Sequence, residues 1–259
     1  MGPGGDPDPE EDGEDRGVHW LWVSDPTGEK ETRRGPVLQV MDDSTKRLLL
    51  IECTGVTSPE GAHVLGYPSL DEFRTPEGEV TGMVVTREVA HRYGYLHGTV
   101  HLWIYRPSQD ATGVDVLLQR RSENKESYPS CLDISSAGHI SAGQAPEDAV
   151  LRELNEELGL TPALSELTFL GTFMGYSSGH FHGKVFRNHE LSYVYTYEKD
   201  LDPLMLSPDP EEVSEVCWIP GSVVSKAAQT RDPGYCLYEK EWEMVLTGIT
   251  SRKNCKDGK

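Results

Sequence analysis

Between Gly138 and Leu160 the chain reads GHISAGQAPEDAVLRELNEELGL, and this stretch constrains the fold more than any other. Pro146 suits the first turn of a helix over Pro146 to Leu158, with Glu147 and Asp148 favourable at its positive end. At about 100° per residue, Val150, Leu151, Leu154 and Leu158 fall on one stripe that faces a core. Glu153, Glu156 and Glu157 stand at i, i+3 and i+4 and gather on the other side, while Gly159 offers a C-terminal stop. Three carboxylates on one helical face repel each other. A divalent cation removes that penalty, and hard oxygen donors at this density suit Mg²⁺ or Mn²⁺ rather than zinc. Arg152 supplies an internal counter-charge. A solvated acidic face is the competing reading, which spacing alone does not exclude.

The flanks of this helix read as strands. TVHLWIYR (99–106), VDVLLQRR (114–121), LTFLGTFMGY (167–176), ELSYVYTYE (190–198) and VSEVCWIP (213–220) are apolar and β-branched in texture, and LDISSAG (132–138) leads into a loop. A further helix is expected near Gly221, and YEKEWEMVLTGI (238–249) reads as a C-terminal helix. One helix between strands, with strands in the majority, predicts an α/β fold. Ahead of this domain, HWLWV (19–23), VLQVM (37–41) and KRLLLIEC (46–53) read as short strands of a β extension, and residues 54–69 as a linker. Residues 1–16, with seven acidic residues and nothing apolar after Met1, read as a disordered tail. The expected organisation is a tail (1–16), an extension with linker (17–69), a main domain (70–250) and a C-terminal tail (251–259).

Charge and composition exclude several functions. The net charge of -19 repels a phosphate backbone, so no nucleic-acid partner is expected. A phosphorylated small molecule stays compatible, because a divalent cation bridges acidic protein to anionic substrate. No run of about 18 apolar residues occurs, so no membrane span is expected, and the acidic N-terminus predicts no secretory signal. Cys53, Cys131, Cys217, Cys236 and Cys255 include no CxxC pair and are odd in number, which fits free thiols in the cytoplasm. Homodimerisation is left open.

The segment 138–160 resembles the Nudix box, G-x5-E-x7-R-E-U-x-E-E-x-G-U with U aliphatic. Gly138, Arg152, Glu153, Leu154, Glu156, Glu157, Gly159 and Leu160 match at the right spacing, and Gln144 stands where the pattern has its first Glu. That first Glu is usually a supporting residue in the family, so its loss bears on rate or loop geometry more than on metal binding. The resemblance implies a Nudix fold, a mixed sheet sandwiched between helices (α/β/α), and hydrolysis of a diphosphate with Mg²⁺ or Mn²⁺. It implies Glu153, Glu157 and the Gly138 carbonyl as metal ligands, with Glu156 a further ligand or the base that activates water, and places Arg152 beside them in the catalytic group.

The resemblance extends over about residues 70–220. Glu88-x-x-His91-Arg92, then His97-x3-His101-x-Trp103-Ile104, and DISSAGHISAG (133–143) resemble the isopentenyl-diphosphate isomerase-like branch, including plant Nudix proteins with a near-identical SSAGHISAG stretch. Arg121 and Lys125 fall where the isomerase holds its diphosphate, and two cations after a strand suit an anion. The isomerase's catalytic Cys would stand at Ala137, and a methyl group cannot protonate an alkene; Cys131 lies six residues too early. Isomerisation is therefore disfavoured. Two of the isomerase's metal-binding histidines would correspond to His101 and His139, which are expected in packing or substrate contact rather than ligation; the third falls on Gly94, with only His91 or His97 nearby. This incomplete set predicts loss of the isomerase-type metal site. Glu190 aligns with an isomerase metal-binding Glu and is expected as an extra catalytic carboxylate, while Asn188 replaces its companion Glu. His180, His182 and His189, in GHFHGKVFRNHE, are expected in an active-site loop or a solvated turn. The substrate implied is a small diphosphate: isopentenyl or another prenyl diphosphate, or a nucleoside diphosphate derivative. A Nudix-fold binding protein without catalysis is the remaining rival.

Overall fold

A computed structural model describes residues 37–42, 47–52, 70–75, 78–125, 127–181 and 183–257. The chain divides into two units, Met1–Thr57 and Ser58–Lys259. In the first, β1 (Val37–Asp42) and β2 (Arg47–Glu52) pair antiparallel from Val37↔Glu52 to Asp42↔Arg47, as the two apolar runs predict. The expected strand HWLWV, the acidic tail and the linker lie outside the described residues.

The second unit is built on a mixed sheet. Its strands are β3 (Leu70–Arg74), β4 (Val80–Thr86), β5 (His97–Pro107), β6 (Val114–Arg121), β7 (Leu132–Asp133), β8 (Ser136–His139), β9 (Thr168–Phe181), β10 (Lys184–Glu198) and β11 (Val213–Pro220). Along the main path the order is β11-β6-β5-β10-β9. β5 pairs parallel with β10 from His97↔Glu190 onward, and antiparallel with β8 and then β6 along its other edge. A central strand whose sheet carries helices on both faces is buried on both, and His97 through Tyr105 are all buried.

Strand alternation divides that burial between two helical layers. Val100, Leu102 and Ile104 pack with Val150, Leu154 and Leu158 of α2 (Pro146–Leu158). Trp103 and Tyr105 point the other way, against Val224 and Ala228 of α3 (Gly221–Thr230) and Trp242, Val245 and Ile249 of α4 (Glu239–Asp257). Each large apolar side chain buried there contributes roughly 1.5–3 kcal/mol. Helices on both faces of a mixed sheet give the expected α/β/α sandwich. The short helix α1 (Arg87–Tyr93) is capped by the Thr86 hydroxyl, 3.4 Å from the Val89 N–H, and ends at Gly94 in the left-handed region.

Three local expectations need correction. The segment 180–189 is not a loop: β9 and β10 continue to Phe181 and from Lys184, closing with Gly183 at φ +77°. Phe181 meets the ring of Phe186 edge-on across this hairpin, so the alternation that extends the pairing also packs it. The C-terminal helix does not stop at Ile249 but runs to Asp257, through a stretch without Gly or Pro. The elements β3, β4 and α1 occupy residues for which no secondary structure was expected.

Candidate active site

The α2 helix lays down the site by its period. Val150, Leu154 and Leu158 face the sheet, yet Glu153 and Glu157 are buried as well. Glu157 accepts the Ala137 N–H at 3.0 Å and faces Gln119 Nε2, 3.3 Å from each carboxylate oxygen. Glu153 lies against Gly138 so closely that a Cβ there would fall 1.9 Å from its carboxyl carbon, so any side chain at 138 would displace the carboxylate. Burial raises the pKa of Glu153 to about 7 and that of Glu157 to about 8; the neighbouring Glu153 charge adds to the latter. Buried carboxylates under such strain, beside a bare backbone, fit a hard divalent cation.

Arg152 organises the rim of this cluster. Its guanidinium donates to Glu156 Oε2 at 2.7 Å and to the His139 carbonyl at 2.9 Å, and lies 2.8 Å from Glu153 Oε1. It also reaches Gln144 Oε1 at 3.4 Å. Gln144 further accepts the Ser141 N–H at 3.2 Å, so its amide oxygen takes the contacts open to a carboxylate there. Glu156 is half-exposed and tied to Arg152, unlike its two buried companions.

A second cluster corrects the expectation of an incomplete histidine set. Among the described residues, His91, His97 and His139 each offer a ring nitrogen, and these atoms lie within 4.8 Å of one another. Gly94 is not part of it; as the left-handed cap of α1 it only ends the helix that carries His91 inward. His139 Nδ1 is 2.9 Å from Asp71 Oδ2, and His97 Nδ1 is 2.8 Å from the Tyr95 carbonyl, which leaves their Nε2 atoms turned toward the cluster. His91 Nε2 lies 3.3 Å from His139 Nε2. Burial above all, with the neighbouring rings, lowers the His91 pKa to about 3; His97 and His139 are also lowered, chiefly by burial. Neutral imidazoles oriented through Nδ1 by a carboxylate and a carbonyl are the form in which histidine binds metal. Glu190, buried and raised in pKa by that burial, places Oε1 4.0 Å from His97 Nε2.

Both clusters open into one cleft of about 1390 Å³. Arg121 and Lys125 line it, each held by a carboxylate: Arg121 donates to Asp133 at 2.9 Å, and Lys125 pairs with Glu212. Tyr128, Phe173, Met174, Tyr176 and Tyr238 add apolar and aromatic wall. His101 also lines it, with Nδ1 2.9 Å from Glu241 Oε1. His180 is exposed, His189 Nδ1 lies 3.2 Å from the Gly94 carbonyl, and neither lines the cleft. His182 lies outside the described residues. The ten residues singled out from the sequence, Gly138, Arg152, Glu153, Glu156, Glu157, Glu190, Arg121, Lys125, His139 and His101, therefore all line the same cleft.

Comparison with known proteins gives the family. The model of the NUDIX domain matches residues 95–238, more than half of the chain. The chain belongs to the Nudix family. It is 37% identical over 185 residues to Nudix hydrolase 3 of Arabidopsis thaliana, a match covering 70% of this chain and 23% of that protein. It is 30% identical over 137 residues to an isopentenyl-diphosphate Δ-isomerase of Cereibacter sphaeroides, covering 53% of this chain and 71% of that one. Among solved structures, DR0079 of Deinococcus radiodurans superposes with a TM-score of 0.47 at 20% identity, over 62% of this chain and 89% of its own. This Nudix chain thus spans about a quarter of the length of its plant relative.

Sequence reasoning missed Asp71, Gln119 and Glu241. Each is buried and polar, and each touches a predicted site residue from another element. Asp71 and Glu241 sit in ordinary-looking acidic stretches, LDEF and EKEWE, where only the fold distinguishes a buried carboxylate from a solvated one.

Proposed function

We propose that this Nudix chain is a pyrophosphohydrolase that cleaves the diphosphate linkage of a small metabolite. The observation that carries the reading is the pair of buried carboxylates, Glu153 and Glu157, facing a cleft rimmed by Arg121, Lys125 and Arg152. Glu153, Glu156, Glu157 and the Gly138 carbonyl would hold Mg²⁺ or Mn²⁺, which when bound neutralises phosphate oxygens and makes water a better nucleophile. Arg121 and Lys125 bind the diphosphate, their partners Asp133 and Glu212 fixing where each cation stands. Arg152 keeps Glu153 and Glu156 in register. Glu190 accepts the proton of the attacking water; a carboxyl whose pKa is raised by burial is suited to that task. The neutral His91, His97 and His139 suit a second divalent ion. The aromatic wall suits a prenyl or nucleoside portion of the substrate. Free thiols at Cys131, Cys217 and Cys236 support a cytoplasmic setting, and no helix among the described residues is long and apolar enough to cross a membrane. The organisation we propose is the hydrolase domain over 70–250, preceded by an acidic tail and a β extension.

The histidine cluster and the isomerase relative favour a second reading, isomerisation of isopentenyl diphosphate. Against it, the site has Ala137 beside Gly138, and Cys131 donates to the Pro233 carbonyl at 3.4 Å instead of reaching that position. The test is release of phosphate or monophosphate from isopentenyl diphosphate, nucleotide sugars and related diphosphates with Mg²⁺ or Mn²⁺. Metal-dependent release that is lost in Glu157→Gln supports the proposal. Near-full activity of Glu157→Gln, or conversion of isopentenyl diphosphate to its isomer without phosphate release, would overturn it.

A further inference from the structure

The two ends of the main sheet are finished differently. At one, β11 is 8 residues long, carries Glu215 and closes on Pro220. A charge and a proline on a short strand discourage pairing with another chain. At the other, β9 runs 14 residues without an Asp, Glu, Lys, Arg or Pro. Among the described residues it pairs with β10 alone, so its outer edge presents backbone N–H and C=O groups without strand partners. Phe169, Met174 and Tyr176 are 51%, 43% and 60% exposed on this strand.

Charge and register decide what fits this edge. An uncharged strand offers no counter-charge to an acidic or basic peptide. In a chain of net charge -19, it is also where a second copy meets the least repulsion. The strand matches itself as well. Antiparallel pairing about a two-fold axis at Gly175 sets Gly171 opposite Gly179, Thr172 opposite Ser178, Phe173 opposite Ser177 and Met174 opposite Tyr176. Hydroxyl then faces hydroxyl, and a thioether meets an aromatic ring, which are favourable cross-strand pairs. An interface between two copies related by a two-fold axis demands such self-complementarity. The register shift in the pairing of β9 with β10 falls at Leu170, outside residues 171–179.

We infer that β9 is the subunit interface of a homodimer, in which residues 171–179 of two copies pair antiparallel and continue the sheet from one copy into the other. Met174 and Tyr176 also line the cleft, so this pairing sets the two clefts side by side and brings the second copy's Tyr176 to the outer wall of each. The inference does not depend on the reaction assigned to the cleft.

The test uses the full chain. Analytical ultracentrifugation over micromolar concentrations is expected to show a monomer–dimer equilibrium. It shifts toward dimer in about 1 M salt, where screening shortens to about 3 Å. In hydrogen exchange, the amides of 171–179 gain protection as concentration rises. Two charge variants then fix the register at the exposed Thr172 and Ser178. Thr172→Lys with Ser178→Lys sets like charges opposite each other at both ends of the pairing, as does Thr172→Glu with Ser178→Glu. Each is expected to weaken self-association by about tenfold or more. An equimolar mixture of the two recovers the dimer, because opposite charges then face each other. A wild type that stays monomeric at every salt and concentration overturns the inference. So does dimerisation without added protection of 171–179, a result that stands whether or not the variants fold. A dimer that both variants leave intact, or a mixture of folded variants that stays monomeric, also overturns it.

Discussion

Replacing Glu157 by Gln is expected to stabilise the metal-free protein while abolishing the hydrolysis proposed for it. A carboxyl whose pKa rises on folding favours the folded state only when protonated, so its ionisation opposes folding as pH increases. For Glu157 this penalty is absent below the unfolded value near 4.5 and grows until about pH 8. At pH 7 the gap of roughly 2.5 pH units corresponds to ~3 kcal/mol. The amide variant carries no charge to bury. Its oxygen can keep the Ala137 N–H, and its NH₂ can donate to Gln119 Oε1, which has no partner among the described residues, once the Gln119 amide turns over. Imperfect geometry gives back about 1 kcal/mol. The net gain of ~2 kcal/mol raises Tm by on the order of 4–8 °C for a unit of this size. Calorimetry in EDTA at pH 7 reads the difference, which shrinks below about 1 kcal/mol at pH 5. Added Mn²⁺ then raises the wild-type Tm by more than that of the variant, which keeps only the ion at the histidine cluster. A variant that melts below the wild type without metal, or that gains as much from Mn²⁺, would refute the reasoning.

Three further outcomes follow from the same contacts. Gly138→Ala places a Cβ against the Glu153 carboxylate; it should cost about 1–3 kcal/mol and weaken Mn²⁺ binding by calorimetry, whereas Gly143→Ala, with open space around its Cβ but φ +78°, should lose stability and spare metal binding. The His101–Glu241 pair, with the His101 pKa raised to about 9, stabilises fully below pH 6.5 and loses that contribution, up to ~3 kcal/mol, as pH rises through 9; denaturant titrations of wild type and His101→Gln should converge there. Replacing His91 or His139 by Asn should lower the Mn²⁺ stoichiometry by one in electron paramagnetic titrations and leave the Glu153–Glu157 ion in place, while Glu157→Gln does the reverse.

What could be read from the residues alone was what depends on short spacing. The α2 stripe, the three glutamates and the Gly159 cap recur within a few residues of one another, so helical period gathers them, while the burial of Glu153 and Glu157 but not Glu156 depends on the sheet that α2 packs on. The apolar strands were legible because β5 and β6 are buried on both faces. His91 carries no visible ligand signal in the sequence, because its place in the cluster depends on α1, a seven-residue helix bracketed by Thr86 and Gly94. Asp71 reaches His139 only because β3 lies beside Ser141, a bridge across 70 residues. Glu241 meets His101 across 140 residues. Such pairings are decided by sheet register and helix docking, which leave no local periodicity in the chain.

The central claim is that water attacks a phosphorus atom beside the α2 glutamates. Its most direct test is to incubate the diphosphates in ¹⁸O-labelled water with Mn²⁺ and weigh the phosphate-containing products by mass spectrometry. The account predicts one heavy oxygen per bond cleaved, in one of the two products, with the label lost in Glu157→Gln. Consumption of a diphosphate with no label entering any product, or labelling that survives in Glu157→Gln, would contradict it.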